Sequence, residues 1–170
     1  MEGIAAMTDK RDQKAVVFVD TNILMYVAGR EHPHQETCRQ ALALIAQEVV
    51  EAVASTEVHQ EILHRYLSLG RPEDARSVSE TLQSIVPRTL AVDLADIVKA
   101  RDLSSIYPTL PARDLVHAAV MLNNGITAIL SVDKHFDSIR EIVRLAPETF
   151  VEQMSRHRNQ PTKPTPPNSA

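Results

Sequence analysis

Two predicted strands of this sequence each end at an aspartate, and these two carboxylates are the first candidates for chemistry. Residues 16–19 are apolar and mostly β-branched, as in a strand buried on both faces of a parallel sheet, and Asp20 follows them directly. Residues 127–131 have a similar character, and Asp133 follows closely. Parallel strands present their carboxyl ends at one edge of a sheet, where open α/β sheets bind ligands. We therefore expect Asp20 and Asp133 to lie at the same edge.

Two further acids stand on predicted helices that can reach this edge. Glu61 lies beside apolar residues in a predicted helix over residues 57–69, and Asp114 lies in the first turn of a predicted buried helix over residues 112–122. Three of the four acids also have an ordinary structural explanation. The dipole at a helix N-terminus stabilises Asp114, a solvated helix face suits Glu61, and Asp20 can cap the next helix.

Four carboxylates in one cleft require a cation, because their mutual repulsion would otherwise be severe. The ligands would all be oxygen atoms, since the single cysteine, Cys38, lacks the companions that a zinc site needs. Oxygen ligation suits a hard ion such as Mg²⁺ or Mn²⁺. Sites of this kind commonly hydrolyse phosphodiesters. The four acids therefore predict metal-dependent hydrolysis of a phosphodiester.

Strands and helices alternate along the chain, which predicts an α/β fold with a small, parallel or mostly parallel sheet and helices on both of its faces. The predicted strands are residues 16–19, 52–55, 88–92, 127–131 and 142–145, and the predicted helices are residues 23–27, 35–49, 57–69, 73–85, 93–103, 112–122 and 147–151. Asp93 is expected at the start of its helix, Asp96 and Asp102 at the surface, and Phe136 in the core.

Length and composition are those of one soluble globular domain, with 170 residues of which 44% are hydrophobic and 24% charged. No apolar run approaches the ~20 residues that cross a bilayer, and residues 1–15 do not resemble a secretory signal, so a cytoplasmic protein without membrane contact is expected. We expect an N-terminal extension over residues 1–15, a folded domain over residues 16–154 and a proline-rich, disordered tail over residues 155–170. The net charge of −4 argues against nucleic-acid binding through a generally basic surface.

Four segments of the chain resemble, in order and in spacing, the PIN-domain ribonucleases, and among these most closely the VapC-type toxins of type II toxin–antitoxin systems. The segments are Val-Phe-Val-Asp-Thr-Asn at residues 17–22, Ser55 with Glu61 six positions later, Arg-Asp-Leu-Val-His-Ala-Ala at residues 113–119, and Ser-Val-Asp-Lys-His-Phe-Asp at residues 131–137. No single segment is specific, but the resemblance covers residues 16–151, nearly the whole predicted domain.

The resemblance implies a PIN-like three-layer α/β/α sandwich that acts as an Mg²⁺-dependent endoribonuclease, with Mn²⁺ as the other candidate ion. It makes four residues the catalytic and metal-binding set, called here the acidic quartet: Asp20, Glu61, Asp114 and Asp133. Glu57 is the alternative candidate for the position of Glu61 in the quartet, but the spacing of six residues from Ser55 favours Glu61.

Three further residues correspond to polar positions around this quartet. Asn22 and Ser131 match positions that usually support the quartet by hydrogen bonds, and Asp137 stands where some members have an additional acid. Ser131 departs from the many members that carry Thr there, although both side chains offer a hydroxyl group.

The resemblance also implies partners: an RNA substrate, a second copy of the chain in a homodimer, and a cognate VapB-type antitoxin that covers the active-site cleft. Arg113, and with it Lys134 or His135, are candidates for positioning an RNA phosphate. His117 either hydrogen-bonds a carboxylate of the quartet or is a buried structural histidine.

Other functions fit the sequence less well. A phosphoryl transferase of the haloacid dehalogenase type needs a second aspartate two residues after the first, and residue 22 is Asn. A receiver domain needs a pair of acids that we do not find. A PIN nuclease of RNA processing is an alternative to a toxin, and a PIN-like module that binds RNA or protein without catalysis is another. The intact quartet argues against the non-catalytic module.

Overall fold

The computed structural model describes residues 15–158, and its centre is a five-stranded sheet in which neighbouring strands are all parallel. The strands are β1 (Val16–Val19), β2 (Glu51–Ser55), β3 (Arg88–Leu90), β4 (Ala128–Leu130) and β5 (Val143–Leu145). Their order across the sheet is β3-β2-β1-β4-β5. The inner strands are apolar and almost wholly buried, because helices cover both faces of the sheet. The predicted parallel sheet is confirmed.

Between residues 15 and 158 the chain forms seven α-helices: α1 (Thr21–Ala28), α2 (Gln35–Ala46), α3 (Thr56–Ser68), α4 (Pro72–Ile85), α5 (Leu94–Ile106), α6 (Ala112–Asn123) and α7 (Pro147–Arg158). A 3₁₀ helix, Lys134–Ser138, follows β4. Helices α1 to α4 and α7 pack together in one group, and α5 packs on α6 in another. Crossovers between parallel strands are right-handed, so the reversal of direction from β3 to β4 puts the two groups on opposite faces. The predicted three-layer α/β/α sandwich is confirmed.

The strand order determines where a ligand site can form. The chain leaves β1 for β2 on one side and later returns to β4 on the other side. The register pairs Val19 with Leu130, so the next residues, Asp20 and Ser131, come side by side at the carboxyl edge. Helices that follow strands at such a reversal diverge to opposite faces and leave a crevice between them.

Aromatic side chains complete the hydrophobic core around this sheet. Phe18 on β1, Phe136 in the 3₁₀ helix and Phe150 on α7 are fully buried, so the predicted core position of Phe136 is confirmed. Cys38 on α2 is a buried free thiol. None of the helices within residues 15–158 has the length and the apolar character that a membrane crossing requires.

Helix α2 is shorter than the sequence predicts, because it ends at Ala46 rather than near residue 49. Glu48 adopts a positive φ of 55°, and the backbone N–H of Val49 donates to the carbonyl of Leu44 at 3.3 Å. This turn reverses the chain and leads Val50 into the core just before β2 begins.

Helix α7 is longer than the predicted span of 147–151, since it continues to Arg158. It therefore passes the predicted end of the domain at residue 154. Residues 1–14 and 159–170, which hold most of the predicted extension and tail, lie outside the described residues.

Asp96 is buried, with 4% of its surface exposed, so its predicted place at the surface is wrong. It forms a capping box with Asp93: the backbone N–H of Asp93 donates to Asp96 Oδ2 at 3.0 Å, and Asp93 accepts from the N–H of Asp96. Asn123 on α6 donates to Asp96 Oδ1 at 2.8 Å. The packing of α5 on α6 encloses this carboxylate. Asp102 is exposed, as predicted.

Candidate active site

Asp20 stands directly after β1 and is 6% exposed. Its Oδ2 accepts a hydrogen bond from Ser131 Oγ at 2.5 Å and another from Asn22 Nδ2 at 2.6 Å. Its backbone N–H donates to the carbonyl of Leu130 at 3.1 Å and so extends the pairing of β1 with β4. The Asp20 side chain makes no capping hydrogen bond to α1. It is fixed instead by contacts from the ends of both strands.

Ser131 and Asn22 link Asp20 to Asp133 through a small polar network. Asn22 Nδ2 also donates to Ser131 Oγ at 3.0 Å, and Asn22 Oδ1 accepts from the backbone N–H of Val132 at 3.3 Å. The Ser131 hydroxyl further accepts from the backbone N–H of Asp133 at 2.9 Å. This buried hydroxyl therefore makes one donated and two accepted hydrogen bonds, which is its full capacity.

Glu61 reaches across from α3 to α6. His117 Nε2 lies 2.8 Å from Glu61 Oε1, and Arg113 Nη1 lies 3.4 Å from Oε2. His117 is 1% exposed, and its ring centroid is 5.4 Å from that of Phe18 on β1. The contact between α3 and α6 at the edge of the sheet is thus a buried histidine–carboxylate pair with an arginine on its outer side.

The pKa directions of this pair agree with an ionised contact. Burial raises the pKa of Glu61, but the hydrogen bond and charge of His117, together with Arg113, outweigh burial and lower it. Burial lowers the pKa of His117, but the hydrogen bond to Glu61 and the charge of Asp20 outweigh burial and raise it. Both shifts favour His117 as imidazolium beside Glu61 as carboxylate.

Asp114 and Asp133 are brought together by His135. His135 Nδ1 lies 2.9 Å from Asp114 Oδ2 and 3.2 Å from Asp133 Oδ1. The backbone N–H of His135 also donates to Asp133 Oδ1 at 2.9 Å, because Asp133 caps the 3₁₀ helix. Ligand atoms of these three residues all lie within 4.8 Å of one another, which is close enough to share one ion.

All four acids of the quartet line a single cleft of about 310 Å³ at the carboxyl edge of the sheet. Asp20 and Asp133 come from the ends of β1 and β4, and Glu61 and Asp114 come from α3 and α6 on the two faces. The structure therefore brings together four acids that lie far apart in the sequence.

The chemistry of this cleft fits a hard divalent cation. Burial raises the pKa of Asp20 to about 6, against the opposing charge of His117 and the hydrogen bond from Ser131. Burial, with the neighbouring charge of Asp133 as a further cause, also raises the pKa of Asp114. A cation among these oxygens would relieve both the desolvation and the repulsion. The hydrogen bonds to Asp20 reach Oδ2, so Oδ1 can serve as a ligand.

Three of the predicted residues lie apart from this cleft. Asp137 forms a bidentate ion pair with Arg144, whose Nε and Nη2 lie 2.7 Å and 2.9 Å from the two carboxylate oxygens. Arg144 also donates to the carbonyl of Ser131 at 3.2 Å. Lys134 is exposed and does not line the cleft, and neither does Glu57. Asp137 is thus linked to the site indirectly, through Arg144 and the backbone carbonyl of Ser131.

The cleft also has walls that sequence reasoning did not find, namely Met25, Tyr26 and Arg65. A signal for two of them was present. Tyr26 is one helical turn after Asn22, and Arg65 is one turn after Glu61, so each shares a helix face with a predicted site residue.

Comparison with known proteins identifies the family. A model of the PIN domain matches residues 17–142. This chain belongs to the PIN-domain family. Among curated PIN proteins, it is 37% identical to ribonuclease VapC13 of Mycobacterium tuberculosis over 131 residues, which cover 77% of this chain and all of that protein. It is 36% identical to ribonuclease VapC23 of the same species over 118 residues, covering 69% and 93% of the two chains. At this identity and coverage, the chain is a member of the VapC ribonucleases.

Solved structures agree on the PIN fold. The VapC20 toxin of M. tuberculosis, described as cleaving the sarcin–ricin loop, superposes with a TM-score of 0.62 at 19% identity, covering 73% of this chain and 95% of VapC20. The VapBC2 complex of Rickettsia felis, bound to a DNA fragment of its promoter, gives a TM-score of 0.63 at 15% identity, covering 76% and 97%. These likenesses describe the fold of the PIN domain alone.

Proposed function

We propose that this VapC-family chain is an endoribonuclease that hydrolyses RNA phosphodiesters with Mg²⁺, or with Mn²⁺ in its place. The observation that carries the proposal is the convergence of the acidic quartet in one cleft at the carboxyl edge of the sheet. Two of those acids have raised pKa values caused mainly by burial, which is the electrostatic setting in which a cation binds favourably.

The quartet would hold the metal through carboxylate oxygens of Asp20, Glu61, Asp114 and Asp133. When bound, the ion supplies stabilisation of the negative charge that develops on the phosphate oxygens. The chain's own contribution is to fix its ligands in place. Ser131 and Asn22 hold Asp20, and His117 holds Glu61, each at hydrogen-bond distance. Such outer contacts orient metal ligands and strengthen binding.

Two exposed basic residues near the quartet would act on the substrate rather than on the metal. Arg113 is exposed, and its guanidinium group lies 3.4 Å from Glu61, so it can turn toward an RNA phosphate at the mouth of the cleft. Lys134 is exposed directly after Asp133 and does not line the cleft, so it would contact the RNA outside the cleft. His135, which contacts both Asp114 and Asp133, is better supported as a residue that holds these acids than as a phosphate contact.

The proposal extends to the partners that the family implies. As a VapC-type toxin acting in the cytoplasm on RNA, the chain would be inhibited by a VapB-type antitoxin. Apolar side chains exposed on α5, namely Leu94, Ile97 and Val98, support an interface with a second copy of the chain. Light scattering would detect a mass of twice 18.9 kDa for such a homodimer, and a monomer mass would contradict it.

Cleavage of a single-stranded RNA by the purified full chain tests the proposed reaction. We expect cleavage with Mg²⁺ or Mn²⁺, none with EDTA, and a loss of about a hundredfold or more in Asp20→Asn, because that carboxylate is a metal ligand in the proposal. Asp102→Asn is the matched control, since Asp102 is an exposed acid paired with its neighbour Arg101. Cleavage that persists in EDTA, or full activity in Asp20→Asn, would refute the assignment.

A further inference from the structure

A second cleft, of about 610 Å³, opens beside the acidic cleft between the end of α1 and α3. The two clefts share walls, because Met25, Tyr26 and Arg65 line both of them. We call it the aromatic–basic cleft, after its principal lining residues Tyr26, Arg30, His32, Arg65, Tyr66 and Arg71. A ligand that enters the acidic cleft can therefore continue into the aromatic–basic cleft without leaving the protein surface.

Stacked rings form one wall of the aromatic–basic cleft. The ring centroids of Tyr26 and His32 are 4.4 Å apart with an interplanar angle of 30°, and His34 stands 5.3 Å from His32. The backbone N–H of His34 donates to His32 Nδ1 at 3.3 Å, which orients the imidazole ring. His32 is exposed, so this stack offers a flat surface at the protein–solvent boundary. Flat aromatic surfaces of this kind bind nucleobases by stacking, with little dependence on sequence.

Charge distinguishes this cleft from the acidic one. Three arginines line it, against the single carboxylate of Glu31. Arg71 pairs with Asp74 at 2.6 Å and lies 5.6 Å from the centroid of the Tyr66 ring, so its guanidinium group already has partners within the protein. Arg65 stands on the boundary between the clefts. In a chain with a net charge of −4, this is a local basic strip next to a cleft of four acids.

We propose that the aromatic–basic cleft binds the single-stranded RNA next to the scissile phosphate, with a base on the Tyr26–His32 stack and the adjoining phosphate on Arg65. This inference rests on the proposed function, since it extends the path of the same substrate. RNA satisfies both features of the cleft, because it carries a phosphate and a flat base in every nucleotide. An A-form duplex does not, because its bases are stacked on one another and unavailable to the rings.

The test measures binding of a fluorescein-labelled, twelve-nucleotide single-stranded RNA by anisotropy, in Ca²⁺ at pH 8. Tyr26→Leu, His32→Ala and Arg65→Gln are compared with the wild type. Arg76→Gln on α4 is the matched control, because Arg76 is exposed, pairs with Glu80 and lines neither cleft. Circular dichroism establishes that each variant is folded, and gels establish that the RNA stays intact.

We expect each cleft variant to weaken binding about tenfold, in line with the stacking and phosphate contacts that are lost. The salt dependence separates the two contributions. Arg65→Gln should make the slope of log affinity against log salt shallower by about 0.7, the value for one phosphate contact on a single strand, whereas His32→Ala should leave that slope in place. A duplex of the same sequence should bind at least tenfold more weakly than the single strand.

Wild-type affinity for single-stranded RNA in both His32→Ala and Arg65→Gln would overturn the inference and leave the cleft to a protein partner. Those two side chains are exposed, so the test stands even if Tyr26→Leu fails to fold. Binding is measured without cleavage, which separates this inference from the proposed function. A wild type that binds RNA through these residues but never cleaves it refutes only the nuclease assignment. If the wild type cleaves RNA while the variants bind it normally, only the proposed RNA binding by the aromatic–basic cleft is refuted.

Discussion

At the scale of single residues, the site depends on side chains that saturate one another's hydrogen bonds. Ser131 is the clearest case, because its buried hydroxyl donates to Asp20 and accepts from Asn22 and from the backbone of Asp133. Its Oγ therefore contacts the side chain of Asp20 and the backbone of Asp133. Removing that hydroxyl would leave Asp20 with a single side-chain donor, Asn22.

Replacing this hydroxyl should weaken metal binding without removing a metal ligand. We expect Ser131→Ala to lower the affinity for Mn²⁺ by about 10- to 100-fold, the usual effect of losing a contact that orients a ligand. Ser131→Thr should retain most of the affinity, since Thr keeps the hydroxyl. Isothermal titration calorimetry measures both.

Ser105→Ala serves as the control for this pair, because Ser105 is an exposed serine on α5. If Ser131→Ala bound Mn²⁺ as tightly as Ser105→Ala, the hydroxyl network would have no part in holding the metal ligands.

The sequence predicted which acids lie together at the sheet edge better than it predicted their contacts. Asp20 and Asp133 could be predicted because each follows an apolar strand. The parallel sheet places the ends of these two strands at a shared edge. The position of His135 between Asp114 and Asp133 could not be predicted from the sequence, because it depends on how the 3₁₀ helix after β4 lies against the start of α6. Contacts between distant segments of this kind have no local signature.

At the scale of secondary structure, the same limit explains the misplacement of Asp96. Lys99 and Arg101 further along the helix suggested a solvated position, but the packing of α5 on α6 encloses the carboxylate. There it accepts from the backbone of Asp93 and from Asn123, so it both caps α5 and ties it to α6. Helix boundaries were predicted more closely, except at the C-terminal ends of α2 and α7.

Asp96 should therefore contribute to stability, unlike Asp102, the other acid of α5. We expect Asp96→Ala to reduce the free energy of unfolding by about 1–3 kcal/mol, since it removes half of a capping box and leaves the Asn123 amide without its acceptor. Urea denaturation followed by circular dichroism measures the change.

Asp102→Ala provides the comparison on the same helix, with an expected change within about 0.5 kcal/mol. Equal stability of the two variants would mean that the contacts of Asp96 with Asp93 and Asn123 do not stabilise α5.

At the scale of the whole molecule, the strand order determines where the site forms. Because β4 lies beside β1, residues that are 111 positions apart in the sequence, Asp20 and Ser131, are hydrogen-bonded neighbours. Helices α3 and α6 then supply Glu61 and Asp114 from opposite faces. The alternation of strands and helices predicted the layers of the fold, and the resemblance to PIN ribonucleases predicted the quartet. The aromatic–basic cleft was not predicted, because its rings and arginines come from α1, α3, the loop between α1 and α2, and the connection between α3 and α4.

The proposed function requires that four acids from separate elements bind the same metal, and calorimetric titration of Mn²⁺ into single variants of the quartet tests this requirement. We expect Mn²⁺ to bind the wild type and Asp102→Asn alike, and to bind Asp20→Asn, Glu61→Gln, Asp114→Asn and Asp133→Asn each at least about tenfold more weakly. Wild-type Mn²⁺ affinity in all four variants, or no binding to the wild type, would contradict the account.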